Sequence, residues 1–186
     1  KLSVSVMCSD LMNLERDIKQ LERNGVDYLH VDVMDAHFVP NLTFGVDFIA
    51  AMHRVTKLPL DIHLMVEHPL PIMEAMDIRP GDRISLHVEL GEQLHELAKA
   101  VRARGAHFGL VVNPSTPVEA LTPYLDEIEW VILMLVQPGF AGAKLIDGIL
   151  DKVAAARRFL DEHGHPETEI SVDGSVSCER ARLMRD

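Results

Sequence analysis

Cysteine is scarce in this chain: Cys8 and Cys178 are the only two in 186 residues, and no CxxC spacing occurs. That argues against a disulfide framework and favours a reducing cytoplasm as the setting. Long apolar runs are missing too. Nowhere do about 18 apolar residues follow one another, so no segment is suited to span a bilayer. The opening KLSVSVMCSD is too short and too interrupted for the apolar core of a signal peptide. Positive charge is the third shortage, with 18 Lys and Arg against 29 Asp and Glu and a net charge of −11. Nucleic acid is therefore a poor partner, because neutralising phosphates takes clustered cations. A small anion is not excluded, since backbone N–H groups at helix starts can hold a phosphate locally. No low-complexity linker or shift of composition divides the chain, which reads as one domain over residues 1–186.

What is present is an ordinary globular balance, 47% hydrophobic and 25% charged, with length enough for a sizeable core. Short β-branched or apolar runs at 2–7, 27–34, 58–65, 83–88, 107–112, 129–136 and 168–173 read as strands. Between them, 11–24, 92–104 and 145–163 carry apolar residues at three- and four-residue spacing and read as helices. Asn24-Gly25, Pro80-Gly81, Arg104-Gly105 and Gly164 read as helix ends. Strands separated by helices imply right-handed βαβ units and a parallel sheet. Repeats of roughly 25 residues favour a (β/α)8 barrel, with a doubly wound open sheet as the alternative. Seven strands fall short of the eight of a closed barrel, so an eighth βα unit is expected to be missing from this stretch and the barrel to be C-terminally incomplete.

In a barrel, reactive groups sit at the carboxyl ends of the strands. Period-two alternation puts His30, Asp32 and Met34 on one face of the second strand; the third offers His63 and the seventh Asp173. Two imidazoles and two carboxylates suit a divalent ion such as Zn²⁺, Mn²⁺ or Fe²⁺. A single Asp or His near a strand end is more often a loop cap, and both readings stand on pattern alone. Met34, Met65 and Met134 read as core filling. Asp35 and His37 are as suited to forming a turn as to touching a ligand. Two loops would let backbone N–H groups approach an anion: 137–142, with Gly139 and Gly142, and 173–175, with Gly174 and Ser175.

The segments KLSVSVMCSDL, HVDVMDAHFVPN, LDIHLMVEHP, LHVE, GLVVNPSTPVEAL, MLVQPGFAG and SVDGSV resemble, in order and spacing, the ribulose-phosphate 3-epimerase family over essentially the whole chain. The resemblance implies a (β/α)8 barrel that inverts carbon 3 of a ketose phosphate, in the cytoplasm and as a homo-oligomer. It implies that His30, Asp32, His63 and Asp173 hold one divalent ion, zinc first, with manganese, iron, cobalt or magnesium as alternatives. Asp32 and Asp173 would be the proton-transferring pair. Met34, Met65 and Met134 would cap the reacting atoms, Ser5 would touch substrate, and Gly142, Gly174 and Ser175 would contribute to the phosphate site. Departures accompany the match. Val4 replaces a usual Pro, Cys8 a Ser, Ala36 a Gly, and Ser175 the second Gly of DGG, while Ala141 and Ala143 alter a GFGGQ loop. The Met7-Cys8 pair and the DGS triplet resemble the allulose-6-phosphate 3-epimerase branch, which tilts the expected substrate towards a hexulose phosphate, with a pentulose phosphate as the alternative.

Two other functions share these features. One is a sugar-phosphate-binding barrel without catalysis, which would be expected to lack one of the paired acids or histidines. The other is a metal-dependent aldolase or lyase. A Schiff-base aldolase would need a Lys at a strand end, and none of the seven supplies one.

Overall fold

The computed structural model of the chain describes residues 1–185. Its frame is one parallel sheet whose seven strands lie side by side in chain order. They are β1 (Ser3–Ser5), β2 (Tyr28–Met34), β3 (Leu60–Met65), β4 (Arg83–His87), β5 (His107–Val112), β6 (Trp130–Met134) and β7 (Glu169–Asp173). Six helices run between or after them: α1 (Leu14–Arg23), α2 (Val46–Val55), α3 (Pro69–Ala75), α4 (Leu94–Arg102), α5 (Ile149–Glu162) and α6 (Cys178–Arg185). The crossover from β5 to β6 stays in 3-10 turns over Val118–Glu127, where Pro123 removes a backbone donor.

The sheet is curled, not open. Laid flat, β2 and β7 would stand roughly 24 Å apart, five strand spacings. Instead His30 Nε2 of β2 lies 3.9 Å from Asp173 Oδ2 of β7, and Arg83 of β4 donates to Glu169 of β7 at 2.9 Å. The strand order never reverses, so there is no topological switch point and the doubly wound alternative falls. The result is a half-barrel of the (β/α)8 type.

Alternation along each strand sorts its side chains between two layers. Leu29, Val31, Val33, Ile62, Leu64, Ile84, Leu86, Phe108, Leu110, Val112, Val131 and Leu133 face outward and form the main core with the helices. Each such side chain contributes about 1.5–3 kcal/mol through the surface it removes from water. The inward set is mixed. β2, β3 and β4 turn His30, Asp32, Asp61, His63, Ser85 and His87 inward, all buried, whereas β5 and β6 turn in Val111, Trp130, Ile132 and Met134. The amino-terminal end of the barrel is plugged by Arg83, whose guanidinium lies 3.9 Å from the Trp130 ring and 4.9 Å from that of Tyr28. Gly109 makes room for that plug: a Cβ there would meet Trp130 Nε1 at 2.3 Å.

Element ends differ from the sequence-based expectation where side chains intervene. The first strand stops at Ser5 because Ser5 Oγ accepts the Met7 N–H and turns the chain into a 3-10 turn over Val6–Cys8. A similar turn at Leu11–Asn13, capped by Asp10, precedes α1. Pro80-Gly81 does not close a helix, since α3 ends at Ala75 and the pair lies in the turn before β4.

Candidate metal centre

β2 brings His30 and Asp32 to the middle of the sheet, β3 brings His63 opposite Asp32 in register, and the curl returns Asp173 to the same point. One ligand atom from each of the four lies within 4.8 Å of all the others. Asp32 Oδ1 is 3.1 Å from His30 Nε2 and 3.3 Å from His63 Nδ1. Asp173 Oδ2 is 3.9 Å and 3.8 Å from the same two nitrogens. A tetrahedral ion with bonds of about 2.0–2.1 Å separates its ligand atoms by about 3.4 Å, so these spacings fit one divalent ion. His30, Asp32 and His63 are buried, while Asp173 is half-buried and leaves one side of the cluster accessible.

The surroundings orient these groups. Asp61 Oδ2 lies 3.0 Å from His30 Nδ1 and accepts from Ser3 Oγ at 2.7 Å, so His30 offers its Nε2 inward. Ser5 Oγ donates to Asp32 Oδ2 at 2.9 Å, and the Thr43 hydroxyl donates to the Asp32 carbonyl. Burial opposes ionisation of Asp32, yet the charge and hydrogen bond of His30, with those of His63, outweigh it and hold the carboxyl below its usual range. Asp61 is lowered in the same way, against burial, chiefly by His30. Burial also opposes charging of His30, but Asp32 and Asp61 raise its pKa well above that of a free imidazole. Buried carboxylates that draw a proton onto His30 form a site that favours a cation.

The sequence-predicted residues meet unequally. Met34 and Met65 are register partners and pack with Val39, Phe38 and Met7 over the carboxyl ends of β2 and β3. Met134 belongs to the separate cluster of β5 and β6, although it pairs with Asp173. Gly142 sits exposed with φ +74° in the loop after β6. Gly174, at φ +97°, packs so closely on Val136 that a Cβ would meet its Cγ2 at 2.4 Å. Ser175 has φ +49°, and its hydroxyl donates to the Ala143 carbonyl, tying the loops after β6 and β7 together. Asp35 closes a turn by accepting from the His37 and Phe38 N–H groups, and it reaches the Glu67 N–H at 2.8 Å. Cys8 and Cys178 are free and exposed.

Sequence reasoning missed Asp61, His87 and Glu89. Asp61 shares a strand face with His63, and His87 shares one with Ser85, so alternation applied to every strand would have found the first two.

Comparison with known proteins points to one family. The model of the "Ribulose-phosphate 3 epimerase family" matches residues 1–186. A ribulose-phosphate 3-epimerase of Bacillus subtilis is 40% identical, over 99% of this chain and 85% of its own. One from Treponema pallidum is 40% identical, over 95% and 81%, and one from Methanocaldococcus jannaschii 34%, over 98% and 77%. Among solved structures, a mutant tryptophan synthase alpha-subunit of Pyrococcus furiosus superposes with a TM-score of 0.65 at 15% identity, covering 98% of this chain and 81% of that one. That likeness concerns the fold alone. No helix among the described residues is long and apolar enough to cross a membrane.

Proposed function

The chain belongs to the ribulose-phosphate 3-epimerase family and is a carbohydrate epimerase, and from that premise we propose that it epimerises carbon 3 of a ketose phosphate by proton transfer between Asp32 and Asp173. The supporting observation is the convergence of His30, Asp32, His63 and Asp173 within 4.8 Å. Epimerisation beside a carbonyl removes a weakly acidic C–H proton and returns one to the opposite face, which needs two groups poised as base and acid. Asp32 and Asp173 come from strands on opposite sides of the curl and serve as that pair. His30, Asp32, His63 and Asp173 would hold one divalent ion, zinc in the first place, which when bound supplies a Lewis acid for the oxygen charge of the enediolate. Ser5 holds Asp32 Oδ2 and Asp61 holds His30 Nδ1, so the donors keep their aim between turnovers. Met34, Met65 and Met134 cover the reacting atoms with apolar, polarizable surface that excludes water and carries no exchangeable proton. Backbone N–H groups near Gly142, Gly174 and Ser175 take the phosphate.

The family and its relatives support D-ribulose 5-phosphate and D-xylulose 5-phosphate as the pair. Cys8 and Ser175, which depart from the family pattern, favour D-allulose 6-phosphate and D-fructose 6-phosphate as a second reading. NMR in D2O tests both, with metal-loaded protein and each ketose phosphate run with and without chelator. The expected result is chelator-sensitive deuterium entry at carbon 3 together with the epimer, faster for the true substrate. Exchange that persists after complete metal removal would refute the ion's role. Absence of exchange with either sugar would refute the epimerase reading. Asp173→Asn is expected to lower turnover roughly 10²–10⁴-fold while leaving the fold intact.

A further inference from the structure

His87, at the carboxyl end of β4, is fully buried, and Phe38 covers it with ring centroids 4.6 Å apart. Its Nε2 lies 2.9 Å from Nε2 of His63. Two ring nitrogens at that distance share one proton, with one donating and the other accepting. His63 turns Nδ1 towards Asp32 and Asp173, so Nδ1 is the nitrogen it offers to an ion. A nitrogen that binds an ion carries no proton, so His63 must keep its proton on Nε2 and donate it to His87. His87 must then accept through a bare Nε2 and, as a neutral ring, carry its own proton on Nδ1. That buried atom makes no hydrogen bond in the structure, and the Glu89 carboxylate, with Oε2 3.4 Å away, is the acceptor within reach of it. Glu89 Oε1 accepts from the Asn113 N–H at 3.3 Å and from the Thr116 hydroxyl, contacts that favour the carboxylate form. Lys152 Nζ donates to the Asn113, Pro114 and Thr116 carbonyls, which fixes this loop against α5.

We propose that Glu89 and His87 are positioning residues that select the tautomer of His63 able to bind a cation. The two ends of His63 compete for its one proton. Asp32, 3.3 Å from Nδ1, would draw the proton to the side that excludes an ion. The acceptor Nε2 of His87, backed by the Glu89 carboxylate near its Nδ1, draws it to Nε2 and leaves Nδ1 bare. Both residues act through His63, so the inference rests on the reading of His63 as an ion ligand.

The test measures zinc affinity by chelator competition in the full chain, together with long-range proton–nitrogen NMR of the imidazoles in zinc-loaded protein. His87→Phe removes the acceptor and is expected to weaken zinc binding roughly 10–100-fold. His87→Gln, which can accept from His63 and donate to Glu89, is expected to restore most of that loss. The NMR of the unaltered protein is expected to show protons on His63 Nε2 and His87 Nδ1, and this readout stands even if His87→Phe fails to fold. A folded His87→Phe with unchanged affinity overturns the proposal, as does a His87 proton on Nε2. His63→Ala separates the two levels. If it loses zinc while His87→Phe does not, the tautomer selection alone fails. If it too keeps the affinity unchanged, the ligand reading fails and the inference with it.

Discussion

Ser5 Oγ donates to Asp32 Oδ2 at 2.9 Å, while Asp32 Oδ1 faces His30 Nε2 at 3.1 Å and His63 Nδ1 at 3.3 Å. The carboxylate thus divides its work, with one oxygen in the donor cluster and the other held by a hydroxyl. A hydrogen bond to a charged acceptor contributes about 1.5–3 kcal/mol. Ser5→Ala is therefore expected to lower kcat at least about tenfold with metal content unchanged. Steady-state kinetics beside metal analysis checks this. A variant that changes only KM would make Ser5 a substrate contact, not a support of Asp32.

Two residues other than glycine hold a backbone conformation that glycine adopts most easily. Ala36 and Ser175 are the non-glycine residues with positive φ among the described ones, at +61° and +49°. A left-handed residue costs about 1–2 kcal/mol when it is not glycine. Ala36→Gly keeps the Ala36 N–H bond to the Asn41 carbonyl and relieves that cost. After the entropy glycine brings to the unfolded chain, it is expected to stabilise by about 0.5–1 kcal/mol. Ser175→Gly relieves the same strain but loses the hydroxyl bond to Ala143, so little net change is expected. Paired denaturant titrations distinguish the two, and equal gains would show that the Ser175 hydroxyl adds nothing.

Much of this site was legible because a strand's alternation is strict. On pattern alone His30 and Asp32 on one strand face, with His63 and Asp173 at other strand ends, were candidates only, and it was the family resemblance that joined them into one cluster. Alternation also turns Asp61, Ser85 and His87 inward, and it cannot say which inward polar groups meet. That depends on register and on the sheet's radius. His87 approaches His63 because β3 and β4 pair with His63 opposite Ser85, an offset no single strand reveals. Met134 carries the same difficulty: its strand-end position was readable, but its membership in the Trp130 cluster was not. Strand ends were misjudged where a side chain captures backbone, as Ser5 does at the Met7 N–H.

Glu169 gives the fold a pH dependence of definite sign. Burial raises its pKa, but hydrogen bonds from Lys1 and Arg83 outweigh this and leave it lowered. A carboxylate with a depressed folded-state pKa stabilises above its unfolded value, about 4.3, and loses that contribution as pH falls through the folded value. Arg83 is buried, while the Glu169 side chain is one-third exposed, so the contribution is discounted for solvent. Glu169→Gln is expected to destabilise by about 1–2 kcal/mol at pH 7, with the difference closing below about pH 4. Urea denaturation at about pH 7 and about pH 3.5 reads it, and a deficit equal at both would assign the effect to packing.

Gly174 links the loop after β7 to the barrel wall, and two separate constraints act on it. Its φ of +97° suits glycine, and a Cβ would stand 2.4 Å from Val136 Cγ2. Gly174→Ala is therefore expected to shift the loop after β7, destabilising the protein by about 1–3 kcal/mol. Because Ser175 ties that loop to Ala143 in the loop after β6, the displacement should reach both loops and, on the proposed function, raise KM for the phosphorylated sugar. Val136→Ala removes the clash and leaves the backbone strain in place. The double variant should recover part of the stability, with a coupling of about 0.5–2 kcal/mol in a double-mutant cycle. No coupling would mean that backbone conformation alone demands glycine here, and that Val136 is only a neighbour.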